Sequence, residues 1–211
     1  MTTRNSMTTM ITMTTMTRAK WTLSALALAS LMACSGSKDN PPPPPPPKTI
    51  ADRLDYTNPT SGTYTLVKDN ASTSTHLVLN LMGPVGTQGT GVGFYLSADT
   101  SKVTWAKVNS SDAEFVKNGA FTLGSGVQLL KSKVIGDQLQ GAVYQKGTTA
   151  PAVTFTASTV LASVALDMKG NVPVGSIVWS STQAPSTKAV LNQGSGASVP
   201  ITINYGTLTA N

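Results

Sequence analysis

The chain has one cysteine, one histidine and one glutamate in 211 residues, and charged residues make up only 11% of it. Each shortage excludes something. With Cys34 alone, no disulfide can form within the chain, so a folded part must rest on its core and its hydrogen bonds. A single histidine, His76, rules out a metal site built on several imidazoles. Long soluble helices draw on Glu, Lys, Arg and Leu, and a chain whose only glutamate is Glu114 is poorly supplied for them. Thr, Ser, Gly, Val and Ala are plentiful instead, and that balance favours strands joined by turns.

The formal charge is +6. Arg4, Arg18 and Lys20 lie ahead of residue 34, and setting them aside leaves 12 basic against 9 acidic residues. The remaining lysines are scattered singly, and only Lys131 and Lys133 come close together. Nucleic-acid binders carry a clustered basic face, so no nucleic-acid partner is expected. The basic balance reads as a general attraction to anionic surfaces.

The N-terminal segment has its own logic. An apolar run from Trp21 to Ala33 follows Arg18 and Lys20 and is too short to cross a bilayer of ~30 Å as a helix. A basic start, a short apolar middle and a small residue before the cut make a secretory signal peptide, expected over residues 1–33. Leu31-Met32-Ala33-Cys34 resembles the lipobox of bacterial lipoproteins, with Met32 as the one departure. The resemblance implies cleavage between Ala33 and Cys34 and acylation of the Cys34 thiol. Two or three acyl chains, at ~0.8 kcal/mol per buried methylene, hold a membrane far more firmly than one. Ser35 stands where an aspartate resembles an inner-membrane retention signal, which favours the outer membrane. Residues 1–15 are Thr- and Met-rich and fit no targeting pattern, so Met16 is the expected start.

Residues 34–48 read as a tether. Ser35 to Asn40 are polar and flexible, and Pro41 to Pro47 form a polyproline II rod of about 20 Å at ~3.1 Å per residue. The tether is expected to lift a domain of residues 49–211 off the membrane.

From Thr63 on, short alternating runs recur between Gly, Pro, Asn and Asp. Leu77, Leu79 and Leu81 alternate with His76, Val78 and Asn80. Val92, Phe94 and Leu96 alternate with Gly93 and Tyr95. Val103 and Trp105 follow a turn at Ala98–Ser101. Gly136-Asp137 predicts a tight hairpin between Val134-Ile135 and Leu139. Val153–Phe155 is a further short strand. Val164, Leu166 and Met168 alternate with Ala165 and Asp167, and Val199, Ile201, Ile203 and Tyr205 alternate with Pro200, Thr202 and Asn204. Pro200 points to a strand start or an edge. Period two, many short strands and regular turns predict an all-β sandwich.

The order of these motifs resembles the cohesin family. Gly91–Val103 is similar to a cohesin strand, turn and strand, with Thr100 in place of the usual proline. Val160–Met168 and Pro173–Trp179 resemble two later strands, and Val199–Thr209 resembles the closing run. The resemblance covers about residues 60–209. It implies a single jelly-roll-like sandwich of about nine strands, an architecture shared with carbohydrate-binding modules, and a non-enzymatic binding role.

Reactive chemistry finds little support in the residues. A Ser-His-Asp triad would need His76, which is expected to face solvent, and no nucleophile-elbow motif is present. Asp112 and Glu114 are near enough in sequence to suggest a glycosidase pair, yet they sit in a polar turn. Asp69-Asn70 with Asp112 and Glu114 could offer calcium some oxygens, but no calcium loop motif appears. The run Gly83–Gly93 lacks the Gly-Lys-Ser/Thr ending of a phosphate loop. Trp105, Trp179, Tyr95, Tyr144 and Tyr205 are the candidate sugar-stacking groups, with Trp105 in phase with the core. The chain is therefore expected to have no catalytic residue, metal or cofactor. It reads as an envelope lipoprotein that presents a binding domain to a protein or a polysaccharide; the alternative is a structural or assembly lipoprotein of the envelope or a secretion apparatus.

Overall fold

The computed structural model describes residues 44–124, 129–145, 150–179 and 186–211, with residues 186–188 described for their backbone only. The expected signal peptide, Ala33, Cys34 and the tether up to Pro43 lie outside the described residues. Pro44 to Pro47 are exposed and belong to no strand. The β-rich unit runs from Pro45 to Asn211.

No helix occurs among the described residues, and fifteen strands do. The first seven are β1 (Leu54–Thr57), β2 (Tyr64–Lys68), β3 (His76–Met82), β4 (Gln88–Gly89), β5 (Gly91–Ser97), β6 (Val103–Ala106) and β7 (Lys117–Asn118). The middle of the chain forms β8 (Leu130–Ile135), β9 (Gln138–Tyr144), β10 (Val153–Thr154) and β11 (Val160–Met168). Last come β12 (Gly175–Ile177), β13 (Ser186–Asn192), β14 (Ser198–Asn204) and β15 (Thr207–Ala210).

The main sheet runs β6-β11-β3-β2-β14-β13-β5-β9-β8, and β7 adds to β11. Its two halves are joined only where β14 runs parallel to β2 at Ile203–Tyr64 and Asn204–Thr65. One half, β6-β11-β3-β2, turns Leu66, Leu77, Leu79, Leu81, Val164 and Leu166 inward. The other turns in Val92, Phe94, Leu96, Leu139, Val143 and Leu191. Both sets belong to one core, so the halves face each other as the layers of an all-β sandwich. Leu77 and Leu79 are wholly buried, and burial of each such side chain is worth about 1.5–3 kcal/mol. A one-residue slip would turn that set out to solvent, so the leucine alternation fixes the register.

The hairpin forms at the expected dipeptide. Ile135 pairs with Gln138 across Gly136-Asp137, and Gly136 alone takes a positive φ, 61°. That conformation suits the first position of a II′ turn. Trp105, 4% exposed, sends its Nε1–H to the Asp137 carbonyl at 2.8 Å and ties β6 to this turn. Pro200 sits near the start of β14, opposite Val190, in the stretch of β14 that precedes its pairing with β2. It thus removes no hydrogen bond from that ladder.

A three-stranded sheet, β1-β15-β12, contributes Leu54, Tyr56, Ile177 and Leu208 to the core. Strand β1 lies ahead of Thr63, where the alternating pattern expected from the sequence starts. The Tyr56 hydroxyl donates to the Leu66 carbonyl at 2.8 Å and accepts from the Gly206 amide at 2.7 Å. The incoming chain is fixed here as well. The Asn211 carbonyl accepts from the Asp52 and Arg53 amides at 2.9 and 3.0 Å, and the Asn211 amide donates to the Arg53 carbonyl at 2.9 Å.

Candidate functional site

A sandwich with a filled core offers its two outer faces to partners. Here the two are built differently.

The outer face of β6-β11-β3-β2 is paired within itself. Ser163 Oγ donates to Asn80 Oδ1 at 2.7 Å, and the Asn80 amide donates to Asp69. His76 Nδ1 meets Asp167 Oδ1 at 2.5 Å, and its Nε2 lies 3.2 Å from the Val108 carbonyl. Val78 and Ala165 are buried although they point away from the leucine side. The expectation that His76 faces solvent is thereby corrected: its side chain is 27% exposed and held from both ring nitrogens. The cause is the register that sets Asp167 directly opposite His76, a pairing between residues 91 positions apart.

Among the described residues, nothing covers the outer face of β13-β5-β9-β8. Strand β9 turns Leu139, Gly141 and Val143 to the core side and Gln138, Gln140, Ala142 and Tyr144 outward. On β5, Gly91, Gly93 and Tyr95 point the same way, and on β8 Lys131, Lys133 and Ile135 do. Of these, Gly93, Tyr95, Lys131, Lys133, Gln138, Gln140, Ala142 and Tyr144 line a shallow concavity of about 760 Å³. Its floor is set by a register: Gly91 pairs with Tyr144 and Gly93 with Ala142. The Tyr144 ring lies across the two glycines, because a Cβ on Gly91 would overlap the ring and one on Gly93 would overlap its hydroxyl. Glycine is thus required on the neighbouring strand for the ring to lie down on the sheet.

Around that floor stand polar groups. The Gln140 Nε2–H₂ donates to Gln138 Oε1 at 2.8 Å, which holds both amides in place. Gln140 is opposite Tyr95, which is 36% exposed. Lys133 pairs with Gln140 and Lys131 with Ala142 on the far side. Burial, reinforced by the nearby Tyr95, pushes the Tyr144 hydroxyl above its ordinary value, so the ring is neutral at physiological pH.

The other candidates have structural partners. Asp112 accepts from the Asn109 amide at 2.9 Å and from the Asn109 side chain at 3.2 Å. Glu114 Oε2 accepts from the Ser132 amide and the Ser132 hydroxyl, both at 2.8 Å. Burial alone would raise the Glu114 carboxyl, but the Ser132 donors and Lys131 hold it below its ordinary value. These two carboxylates fasten the 109–118 segment to itself and to β8. Asp69 accepts from the Ala71 amide at 2.7 Å. No group of three or more His, Cys, Asp or Glu gathers among the described residues. Within the Gly83–Gly93 run, Gly83 and Gly89 pack against the Phe155 ring, and β4 pairs with β10. Trp179 stacks on Tyr205 with centroids 4.7 Å apart and meets Tyr56 edge-on at 6.3 Å.

Of the five aromatic candidates, only Tyr95 and Tyr144 share the open face. Trp105 is in the core, and Trp179 and Tyr205 sit at another end of the sandwich, beside Gly206. Gln138 and Gln140 were not singled out from sequence. Their signal was the outward half of β9's alternation, two amides, a small residue and an aromatic.

No protein-family model matches the chain, and no curated protein does. Among solved structures, the chain is similar to a type II cohesin domain from the cellulosome of Acetivibrio cellulolyticus. The TM-score is 0.47 at 11% identity, over 70% of this chain and 94% of that one. It is also similar to the sixth cohesin of scaffoldin B from the same organism, solved in complex with a mutant dockerin. That likeness has a TM-score of 0.46 at 14% identity, over 70% of this chain and 97% of that one.

Proposed function

We propose that this protein is a non-catalytic binding module, held at the cell envelope through an acylated Cys34, that engages its partner on the outer face of β13-β5-β9-β8. The contrast between the two faces carries the reading. One face holds Ser163, Asn80 and Asp69, and His76 and Asp167, in hydrogen bonds across its strands, while the other sets Tyr144, Tyr95, two lysines and the Gln138–Gln140 pair around an open concavity. A concave face with a few placed polar groups and aromatic rings is a common form of ligand site. The groups that could have done chemistry are engaged elsewhere. His76 Nε2, the nitrogen a nucleophile would have to meet, faces the Val108 carbonyl, and Asp112 and Glu114 hold the chain together.

Two measurements test it. A photo-crosslinking residue placed at Tyr95 of the full chain, expressed in bacteria, should give an envelope adduct, and the same residue at Thr104 on the opposite face should not. Adducts from Thr104 alone would place the interface on the wrong side. Metabolic labelling with palmitate should mark the wild-type chain and not Cys34→Ser; equal labelling would remove the anchor.

A further inference from the structure

Resting on that binding reading, we infer that the open face takes an acidic polysaccharide, a chain of sugar rings carrying carboxylates.

Tyr144 lies along the sheet over Gly91 and Gly93, so one side of its ring packs on backbone while the concavity opens over the rest. A pyranose ring has an apolar side of C–H groups, and it stacks on such a platform as other flat partners do. Ala142 and the two glycines keep the surroundings of the ring low, so a thin ligand can run along it. The Gln138–Gln140 pair stands beside this trough with one bond already made between them. That bond leaves Gln138 its amide hydrogens and Gln140 its carbonyl, a donor and an acceptor suited to sugar hydroxyls.

Charge selects within the glycans. Lys131 and Lys133 project from β8 onto the same face, and no carboxylate projects from β5, β8 or β9 there. Glu114 touches Lys131 from the rim at 3.5 Å, with the lysine side chain 79% exposed. Lys133 forms no ion pair among the described residues. The face is therefore net positive beside a stacking ring. A protein partner is the poorer fit, since the cores of protein interfaces are depleted in lysine and two lysines stand on this face.

The test uses the full chain in mild detergent with polygalacturonate as the probe, measured by affinity electrophoresis. Two controls separate the sources of binding: methyl-esterified polygalacturonate keeps the sugar and removes the charge, and poly-L-glutamate keeps the charge and removes the sugar. Polygalacturonate should retard the protein at least tenfold more strongly than either control. Lys131→Gln with Lys133→Gln should cut that retardation at least tenfold, and Tyr95→Ala or Gly93→Ala should cut it several-fold, with far-UV dichroism unchanged. Absence of retardation, equal retardation by poly-L-glutamate, or indifference to all these substitutions would overturn the inference. Loss of the polygalacturonate effect with the Tyr95 crosslink intact would sink the ligand class and leave the binding face standing. A crosslink only from Thr104 would sink the face itself.

Discussion

Tyr144 and Gly91 face each other across β9 and β5, and the tyrosine ring occupies the space a side chain at Gly91 would need. The same ring ends over Gly93, so two glycines on one strand serve one aromatic on the next.

These glycines should respond differently to alanine. A Cβ on Gly91 would also come 2.7 Å from the Tyr144 Cα and the Val143 carbonyl, neither of which can rotate away. Gly91→Ala should lose about 1–3 kcal/mol, as overpacked sites do. A Cβ on Gly93 overlaps only the phenolic end of the ring and touches Val190 at ordinary contact distance, 3.5 Å. Gly93→Ala should lose less than about 1 kcal/mol and shift the ring instead. Urea unfolding and near-UV dichroism measure the two effects; equal losses would show that the ring does not lie as described.

Tyr56 sets an alkaline limit. Burial pushes its hydroxyl up to about 12 from 10.0, against the opposing pull of the Gly206 amide. The folded state thus favours the protonated form more than the unfolded chain does. Its contribution is whole below pH 10 and disappears as pH climbs toward 12. At ~1.4 kcal/mol per unit, the two-unit difference is about 3 kcal/mol. Tyr64 and Tyr144 are displaced upward by burial too and act in the same direction. Tyr56→Phe should cost about 1–3 kcal/mol at neutral pH, because the Leu66 carbonyl and Gly206 amide lose their partner. It should also lose less stability than wild type between pH 10 and 12. Urea midpoints across that range decide the matter, and parallel curves would contradict it.

Glu114 sets an acid limit of opposite form. Its carboxyl is held below 4.5 by Ser132 and Lys131 against burial. A depressed carboxylate stabilises the fold above its unfolded value, and that support fades as pH falls through the folded one. Glu114→Gln should cost about 1–2 kcal/mol at pH 7, because a neutral amide oxygen accepts the two Ser132 donors less strongly than a carboxylate does, and the NH₂ group then faces Lys131. The gap to wild type should narrow well below pH 4.5. Chemical unfolding at pH 7 and pH 3 checks this, and a constant gap would deny the carboxylate its role. Hydrogen exchange at the Ser132 amide should quicken in the variant.

Trp105 links the core to the Gly136-Asp137 turn through one hydrogen bond. Trp105→Phe keeps most of the apolar volume and removes the donor, so a loss of about 1–3 kcal/mol is expected. Exchange should rise at β8 and β9 amides near the turn before it rises in β3. Uniform exchange across the sandwich would mean that the bond does not anchor the hairpin.

What could be read in the sequence was local. The alternation at Leu77, Leu79 and Leu81 and the Gly136-Asp137 hairpin each need only a few neighbouring residues, and both formed as expected. The open face was not legible, because it depends on Gly91 meeting Tyr144 from the other side of β6, β7 and β8 in the chain. His76 was misread for the same reason, its partner Asp167 lying 91 residues away. Strand β1 was missed because its four residues carry too short a pattern to stand out, and its partner β15 comes at the other end of the domain.

That last pairing puts an order on assembly in time. Leu54 stands opposite Ala210 in the register and Arg53 exchanges backbone hydrogen bonds with Asn211, so the first strand of the domain waits for the last. As the unfolded chain enters the compartment where it folds, residues 52–57 have no β15 to pair with until residues 207–211 follow. Closing so long a loop is slow compared with forming a hairpin such as β8–β9. The hairpins should therefore collapse first, and β1 should latch only once β15 has arrived, leaving the leading segment loose until then.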